Sequence, residues 1–192
     1  MSGIAEVHPE ATLTPGKIEL VAAWLPKQPW YQGQDSSDAA RVASFRFVDP
    51  YGEVGIETLL VRSGGQVYQV PLTYRSDPIE GAEDFLVGEM EHSILGHRWV
   101  YDGTGDPVYV DELQRIIRDG DDEADLNIDA PKSMTVQGSG VVLVSNSTGQ
   151  MKLHRVVDPA PEPSRTRVAV GTLEGTWTLD GAERTTLLAS LY

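Results

Sequence analysis

Cysteine is absent, which excludes disulfides, thiol catalysis, thiolate zinc sites and iron–sulfur clusters. Basic residues are scarce: 15 Lys and Arg stand against 29 Asp and Glu, a formal net charge of −14. Such a charge repels phosphate backbones and anionic lipid, so neither nucleic acid nor a membrane surface is an expected partner. Long apolar runs are also missing. The longest, Leu20 to Leu25, is far too short to span a bilayer. Residues Met1 to Thr12 lack the basic stretch and apolar core of a secretory leader. These absences predict a cytoplasmic protein. At 192 residues the chain is long enough to fold around its own core without staples.

Catalytic signatures are missing as well. There is no G-x-S-x-G elbow, no S-x-x-K, no phosphate-loop G-x-x-x-x-G-K-[ST] and no G-x-G-x-x-G opening a helix. The four histidines, His8, His92, His97 and His154, show no helical metal-ligand spacing, so no metal is expected, although a hairpin could bring His92 and His97 together. Glu89 and Glu91 share a face if their segment is a strand. Paired carboxylates can serve glycoside hydrolysis, but on an acidic protein they are more often solvated. No catalytic residue and no cofactor follows from these patterns.

What is present is a pattern of α+β elements. Thr14-Pro15 reads as an N-cap with proline at the first helical position, and Leu20, Val21, Trp24 and Leu25 line one helical face that Pro26 ends. From Arg41 the apolar period becomes two, and Asp49-Pro50 with Gly52 forms a turn. Glu53 to Arg62 and Gln66 to Tyr74 make a hairpin through Ser63-Gly64-Gly65, and Phe85 to Ile94 with His97 to Tyr101 make a second. Asp106-Pro107 opens another helix ending near Gly120. The stretch Asp119 to Asp125 holds five acids and no base, so it reads as a self-repelling linker. Beyond it, Thr135 to Val144 and Met151 to Val157 flank Ser145 to Gly149 as a hairpin, and Pro159 to Ser164 reads as a loop. Arg167 to Leu173, Thr176 to Leu179 and Arg184 to Leu191 are three further strands, with Asp180-Gly181 as a tight turn. The division expected is an α+β module over 1–120, a linker over 121–130 and a β-rich segment over 131–192 that can be continuous with the first.

Three stretches carry a family resemblance. Trp24-Leu25-Pro26-Lys27-Gln28-Pro29-Trp30-Tyr31-Gln32-Gly33 resembles the W-L-P-x-x-x-W-[FY]-x-G segment of bacterial maltokinases, which phosphorylate maltose with ATP. Gln69 to Arg75, followed by Gly81 to Asp84, is similar to the hairpin and exit of that family's N-terminal cap. Trp99-Val100-Tyr101-Asp102 with Asp106-Pro107 is similar to its V-Y-D-x-x-x-D-P stretch. The resemblance spans about residues 14 to 118 and implies a stand-alone cap-like protein. Its implied fold is a curved antiparallel sheet with one or two covering helices, cystatin-like in layout. Trp24, Pro26, Trp30, Tyr74, Trp99 and Asp102 are the motif anchors.

The resemblance implies a non-catalytic accessory or binding module in trehalose, maltose or glycogen metabolism, docking on a kinase or on a glucan or trehalose enzyme. Two alternatives stay open. The stretch from Gly138 to Lys152 is loosely similar to a kinase glycine loop and β-strand lysine, so a nucleotide-binding remnant would use Lys152. The other is a small glucosyl-ligand binder, with the aromatic residues as stacking surface. Packing is the ordinary fate of those aromatics.

Overall fold

The computed structural model describes residues 3–141, 149–158 and 168–192. The predicted turn over 145–149 falls mostly outside the described residues, as do the 159–164 loop and the first residue of the 167–173 strand.

Two short strands come first, β1 (Ile4–Ala5) and β2 (Leu13–Thr14), then helix α1 (Lys17–Trp24). The helix begins later than Thr14-Pro15 suggests. Thr14 is held in a ladder opposite Glu91, so Gly16 becomes the cap and its N–H donates to the Glu19 carboxylate at 3.2 Å. Pro26 ends the α-helix as expected, within a 3-10 turn over Leu25–Lys27. Strands β3 (Ala40–Val48), β4 (Gly55–Ser63) and β5 (Gln66–Arg75) form a meander. Its first turn is built by Asp49, whose carboxylate accepts the N–H groups of Tyr51, Glu53 and Val54 at 2.9–3.0 Å. The second has Gly64 and Gly65 at positive φ, as Ser63-Gly64-Gly65 predicts. Then β6 (Leu86–His92) and β7 (Gly96–Asp102) form the second hairpin, followed by α2 (Pro107–Asp119). Asp106 caps α2 by accepting from the Val108 N–H at 3.0 Å, and Gly120 closes it at φ 66.

The main sheet runs β2-β6-β7-β5-β4-β3 and curls strongly into a half-barrel. One face packs on α1: Val21, Trp24 and Leu25 lie against Leu59, Val61, Val70, Leu72 and Val100. The other face packs on α2 and on the C-terminal strands. There Phe45, Phe47, Ile56 and Leu60 meet Tyr109, Leu113 and Ile117, together with Leu173, Trp177 and Leu188. Alternation along β4 and β5 thus feeds two cores, which explains why both strands are buried along most of their length.

The later elements are β8 (Asp125–Leu126), β9 (Met134–Gly138), β10 (Met151–Leu153), β11 (Val156–Asp158), β12 (Gly171–Leu179) and β13 (Ala182–Leu191). Four of them form a second sheet in the order β10-β13-β12-β9. The expected hairpin between 135–144 and 151–157 is therefore corrected: among the described residues β9 and β10 lie at opposite edges, because β12 and β13 come between them. The 151–157 stretch is itself two strands, since β10 joins the second sheet while β11 crosses to pair with β5. The expected strands 167–173 and 176–179 are one strand, β12. Gly175 lets it pass the core, since a Cβ there would lie 2.7 Å from both Leu188 Cδ1 and Met134 Cε. Asp180 and Gly181, both at positive φ, form the tight turn the sequence predicts.

The acidic stretch has more partners than its charge suggests. Glu123 is buried, accepts from the Val136 N–H at 2.6 Å and pairs with Lys132 at 2.8 Å. Asp125 shares Lys132 and lies in β8, which pairs in parallel with β1. Arg115 reaches Asp119 and Asp121. Lys132, a few positions further along, and Arg115, on the preceding helix, offset the repulsion that the acidic run alone implies.

Candidate functional site

The motif residues converge in pairs. Trp24 is buried, and its ring meets that of Trp30 edge-on at 5.6 Å; Trp30 continues to Tyr68 at 5.9 Å, and Tyr68 to Tyr31 at 5.1 Å. Pro26 is exposed in the turn between the two indoles. Tyr74 is half-buried and donates to Glu57 Oε2 at 3.0 Å. Arg75 grips Asp106 through two bonds of 2.7 Å, from Nε to Oδ2 and from Nη2 to Oδ1. The tail of the Q-V-P-L-T-Y-R stretch is thereby bolted to the D-P cap of α2. Burial alone would raise the Asp106 carboxyl, but Arg75, Thr73 and the Val108 N–H outweigh it and hold it below the usual carboxylate range.

Asp102 is buried and accepts from Arg155 Nη2 at 2.5 Å, while the same nitrogen donates to Thr104 Oγ1 at 3.1 Å. The Arg155 guanidinium lies 4.6 Å from the Trp30 ring centroid. Beneath it, the Gln69 N–H donates to the Arg155 carbonyl at 2.7 Å, and Gln69 Nε2 donates to the carbonyls of His154 and Leu188. These contacts fill the gap on the edge of β5 between its partners β7 and β11. Nothing in the sequence marks Arg155 for this, because its side chain's hydrogen-bond partners lie 51 to 86 positions away and Trp30 further still.

The remaining candidates separate. Glu89 and Glu91 share an exposed face, as alternation predicts, and both hold His97, at 3.0 and 2.7 Å. The Glu91 hydrogen bond above all raises the His97 pKa. Trp99, half-buried, has the His97 ring at 4.3 Å. His92 does not meet His97; it faces His8 at 5.7 Å and Gly96 across the hairpin. Among the described residues no three His, Asp or Glu side chains are placed to hold a metal. Lys152 is exposed on the edge strand β10, opposite Ser190, with no carboxylate at ion-pair distance among the described residues. The Gly138–Lys152 hairpin that a nucleotide site would need is absent from the described residues, for the topological reason given above.

A cavity of about 890 Å³ opens on the α1 side of the main sheet, walled by the N-terminal segment. On its floor the buried Glu57 accepts from Lys17 and pairs with Arg46 at 3.1 Å. Burial pushes Glu57 up, yet Arg46 and Lys17 hold it below its usual value. Burial also lowers Lys17, against the pull of Glu57. Glu57 was missed from sequence. The available signal was one acid inside the run Ile56 to Val61, where an unpaired charge would be too costly.

A model of the maltokinase N-terminal cap domain matches residues 24–106. The chain carries a maltokinase cap-like domain. The match opens at Trp24 and closes at Asp106, so it encloses the indole pair, the Tyr74–Glu57 bond, the Arg75–Asp106 clamp and Asp102. Arg155 and the second sheet lie beyond it. No curated protein matches the chain. No helix of the cap-like domain or of the other described residues is long and apolar enough to cross a membrane, which says nothing of a β-barrel.

Proposed function

We propose that the chain is a non-catalytic accessory module of trehalose, maltose or glycogen metabolism, acting in the cytoplasm by docking on a kinase or on a glucan or trehalose enzyme. The observation that carries this reading is the use made of the motif residues. Trp24, Trp30, Tyr74, Arg75 and Asp106 are all engaged in holding elements of the cap together, and Asp102 ties the cap to Arg155 beyond it. A residue locked in a buried clamp is positioned for scaffold work, whereas phosphoryl transfer needs a lysine, metal-binding acids and a base converging on one open site. The exposed Lys152 has no such company among the described residues.

Purified protein incubated with ATP and maltose is expected to release no ADP beyond background. Immobilised protein is expected to retain a maltose-, trehalose- or glucan-acting enzyme from native lysate. Maltose-dependent ADP release that disappears in Lys152→Ala would refute the reading in favour of a kinase remnant.

A further inference from the structure

The N-terminal segment is fastened at two ends and bridges the cavity between them. At one end the N–H groups of Asp125 and Asn127 donate to the carbonyls of Gly3 and Ala5, and the Asn127 side chain exchanges two hydrogen bonds with Val7, at 2.9 and 3.2 Å. At the other, Thr12 and Ser93 exchange two, at 2.9 and 3.0 Å, and β2 pairs with β6. Residues 8–11 between these anchors make a turn closed on itself, the Ala11 N–H donating to the His8 carbonyl at 3.0 Å. His8, Pro9 and Ala11 line the cavity, as does His92, whose ring the His8 ring meets edge-on. His92 also shapes the second anchor. Its Nδ1 accepts the N–H groups of Ile94 at 3.2 Å and Leu95 at 3.1 Å, which fixes the turn that carries Ser93. Two donors aimed at one ring nitrogen require a lone pair there, so this imidazole is neutral with its proton on Nε2. The surroundings oppose a charge on it. His8 faces it from the N-terminal segment, Arg98 from β7 and Lys17 from α1. The nearby carboxylates are committed elsewhere: Glu91 holds His97 on the opposite face, Glu57 engages Lys17 and Arg46, Glu6 reaches His8 at 3.7 Å, and Glu10 is exposed. Burial above all, and then His8, Arg98 and Lys17, hold His92 below its ordinary value of 6.5.

We propose that residues 8–11 are an acid-released strap over the cavity, closed while His92 is neutral and set free when its Nδ1 takes up a proton. The proton occupies the lone pair that Ile94 and Leu95 share, so both turn hydrogen bonds are lost together. The turn then lets go of Thr12, because Ser93 supplies one donor and one acceptor of that anchor. The new charge repels Arg98 and Lys17, and His8 once it too is protonated. Release opens the way to the Glu57 floor. The sign follows from linkage. In the open state the imidazole has its ordinary value near 6.5, and in the closed state a lower one. The preference for the closed state is therefore fully present above about pH 6.5 and declines as pH falls below it. This inference stands apart from the docking function proposed above, since it concerns access to the cavity and needs no partner.

The test reads the full chain in two ways between about pH 7.5 and about pH 5. Imidazole nitrogen spectra should show His92 protonated on Nε2 alone at the higher pH, with a midpoint below 6.5, and the amides of Thr12, Ser93, Ile94 and Leu95 should shift with that same midpoint. Cleavage after Glu10 by a glutamyl endopeptidase, divided by the rate for a free peptide of residues 6–14, should rise roughly tenfold or more over this range, the scale of two lost hydrogen bonds. His92→Asn, whose side-chain oxygen accepts from the same turn without titrating, should keep cleavage slow at both pH values. His154→Gln, at the imidazole bonded to Ser190, should leave the acceleration unchanged, which separates strap release from acid effects on the second sheet. Four results would overturn the proposal: a proton on His92 Nδ1 at the higher pH, a cleavage ratio that does not change with pH, equal acceleration in His92→Asn, or loss of the Gln66–Arg75 amide signals in step with the strap. The spectra and cleavage of the parent decide the matter even if His92→Asn does not fold.

Discussion

Arg75→Ala should be one of the most damaging single substitutions in the cap-like domain. Asp106 is fully buried, at 0% exposure, while Arg75 is 22% exposed, so truncating the arginine strands a carboxylate that cannot reach water. Breaking a buried pair in this way costs about 3–5 kcal/mol, against a typical domain stability of about 5–15 kcal/mol. The pH dependence carries a distinct sign. In the parent the Asp106 pKa is depressed, so its contribution is present above the unfolded value near 3.9 and is lost as pH falls through the folded value. Without Arg75, burial dominates and the pKa rises above the unfolded value. Asp106 then destabilises the fold at neutral pH and ceases to do so once it is protonated. The gap between parent and mutant should therefore narrow as pH falls from 7 toward about 3.5. Asp106→Asn keeps an oxygen for the Val108 N–H and removes the charge. In that background Arg75→Ala should cost far less, a coupling that a double-mutant cycle isolates. Urea unfolding at several pH values reads all of this. A cost below about 1 kcal/mol at pH 7, a gap independent of pH, or an equal cost in the Asn background would refute the reasoning.

Trp24→Ala should lower stability by about 3–5 kcal/mol, because the indole is buried between α1 and the main sheet; Trp30→Ala should cost less by direct burial but also free Arg155, so thermal melts of both should fall. Unchanged melting with lost partner capture would instead make the pair an exposed platform. Burial, with Lys152 nearby, lowers the His154 pKa to about 4 from 6.5, so stability should decline as pH falls from about 6.5 to 4, by up to about 3 kcal/mol. His154→Gln, which can still meet Ser190, should flatten that part of a pH–stability profile; an unaltered slope would count against a buried neutral imidazole. Gly175→Val should disrupt the second sheet through the Leu188 and Met134 contacts and lower the melting temperature clearly, whereas Gly52→Ala, at an open turn with φ 72, should cost only about 1 kcal/mol.

Where interactions are local, the sequence carried its own answer. Asp106-Pro107 and Gly120 define α2 because capping involves atoms within a few positions. Gly64-Gly65 and Asp180-Gly181 define their hairpins because positive φ is a property of single residues. The motif stretches likewise pointed to the cap, since they mark the residues that close it. Long-range choices were settled only in three dimensions. Whether Thr14 starts a helix or joins β6, whether Met151 to Val157 stays one strand or divides between two sheets, and whether β9 meets β10 or β12 all depend on partners far along the chain. The acidic run shows the same limit: its composition predicts repulsion, but Lys132 and Arg115 arrive to neutralise it. Glu57 and Arg155 became legible only when the sheet curled. A charge on a strand acquires meaning from what the tertiary fold sets opposite it, and for these two that is Lys17 with Arg46, and Asp102 with the face of Trp30.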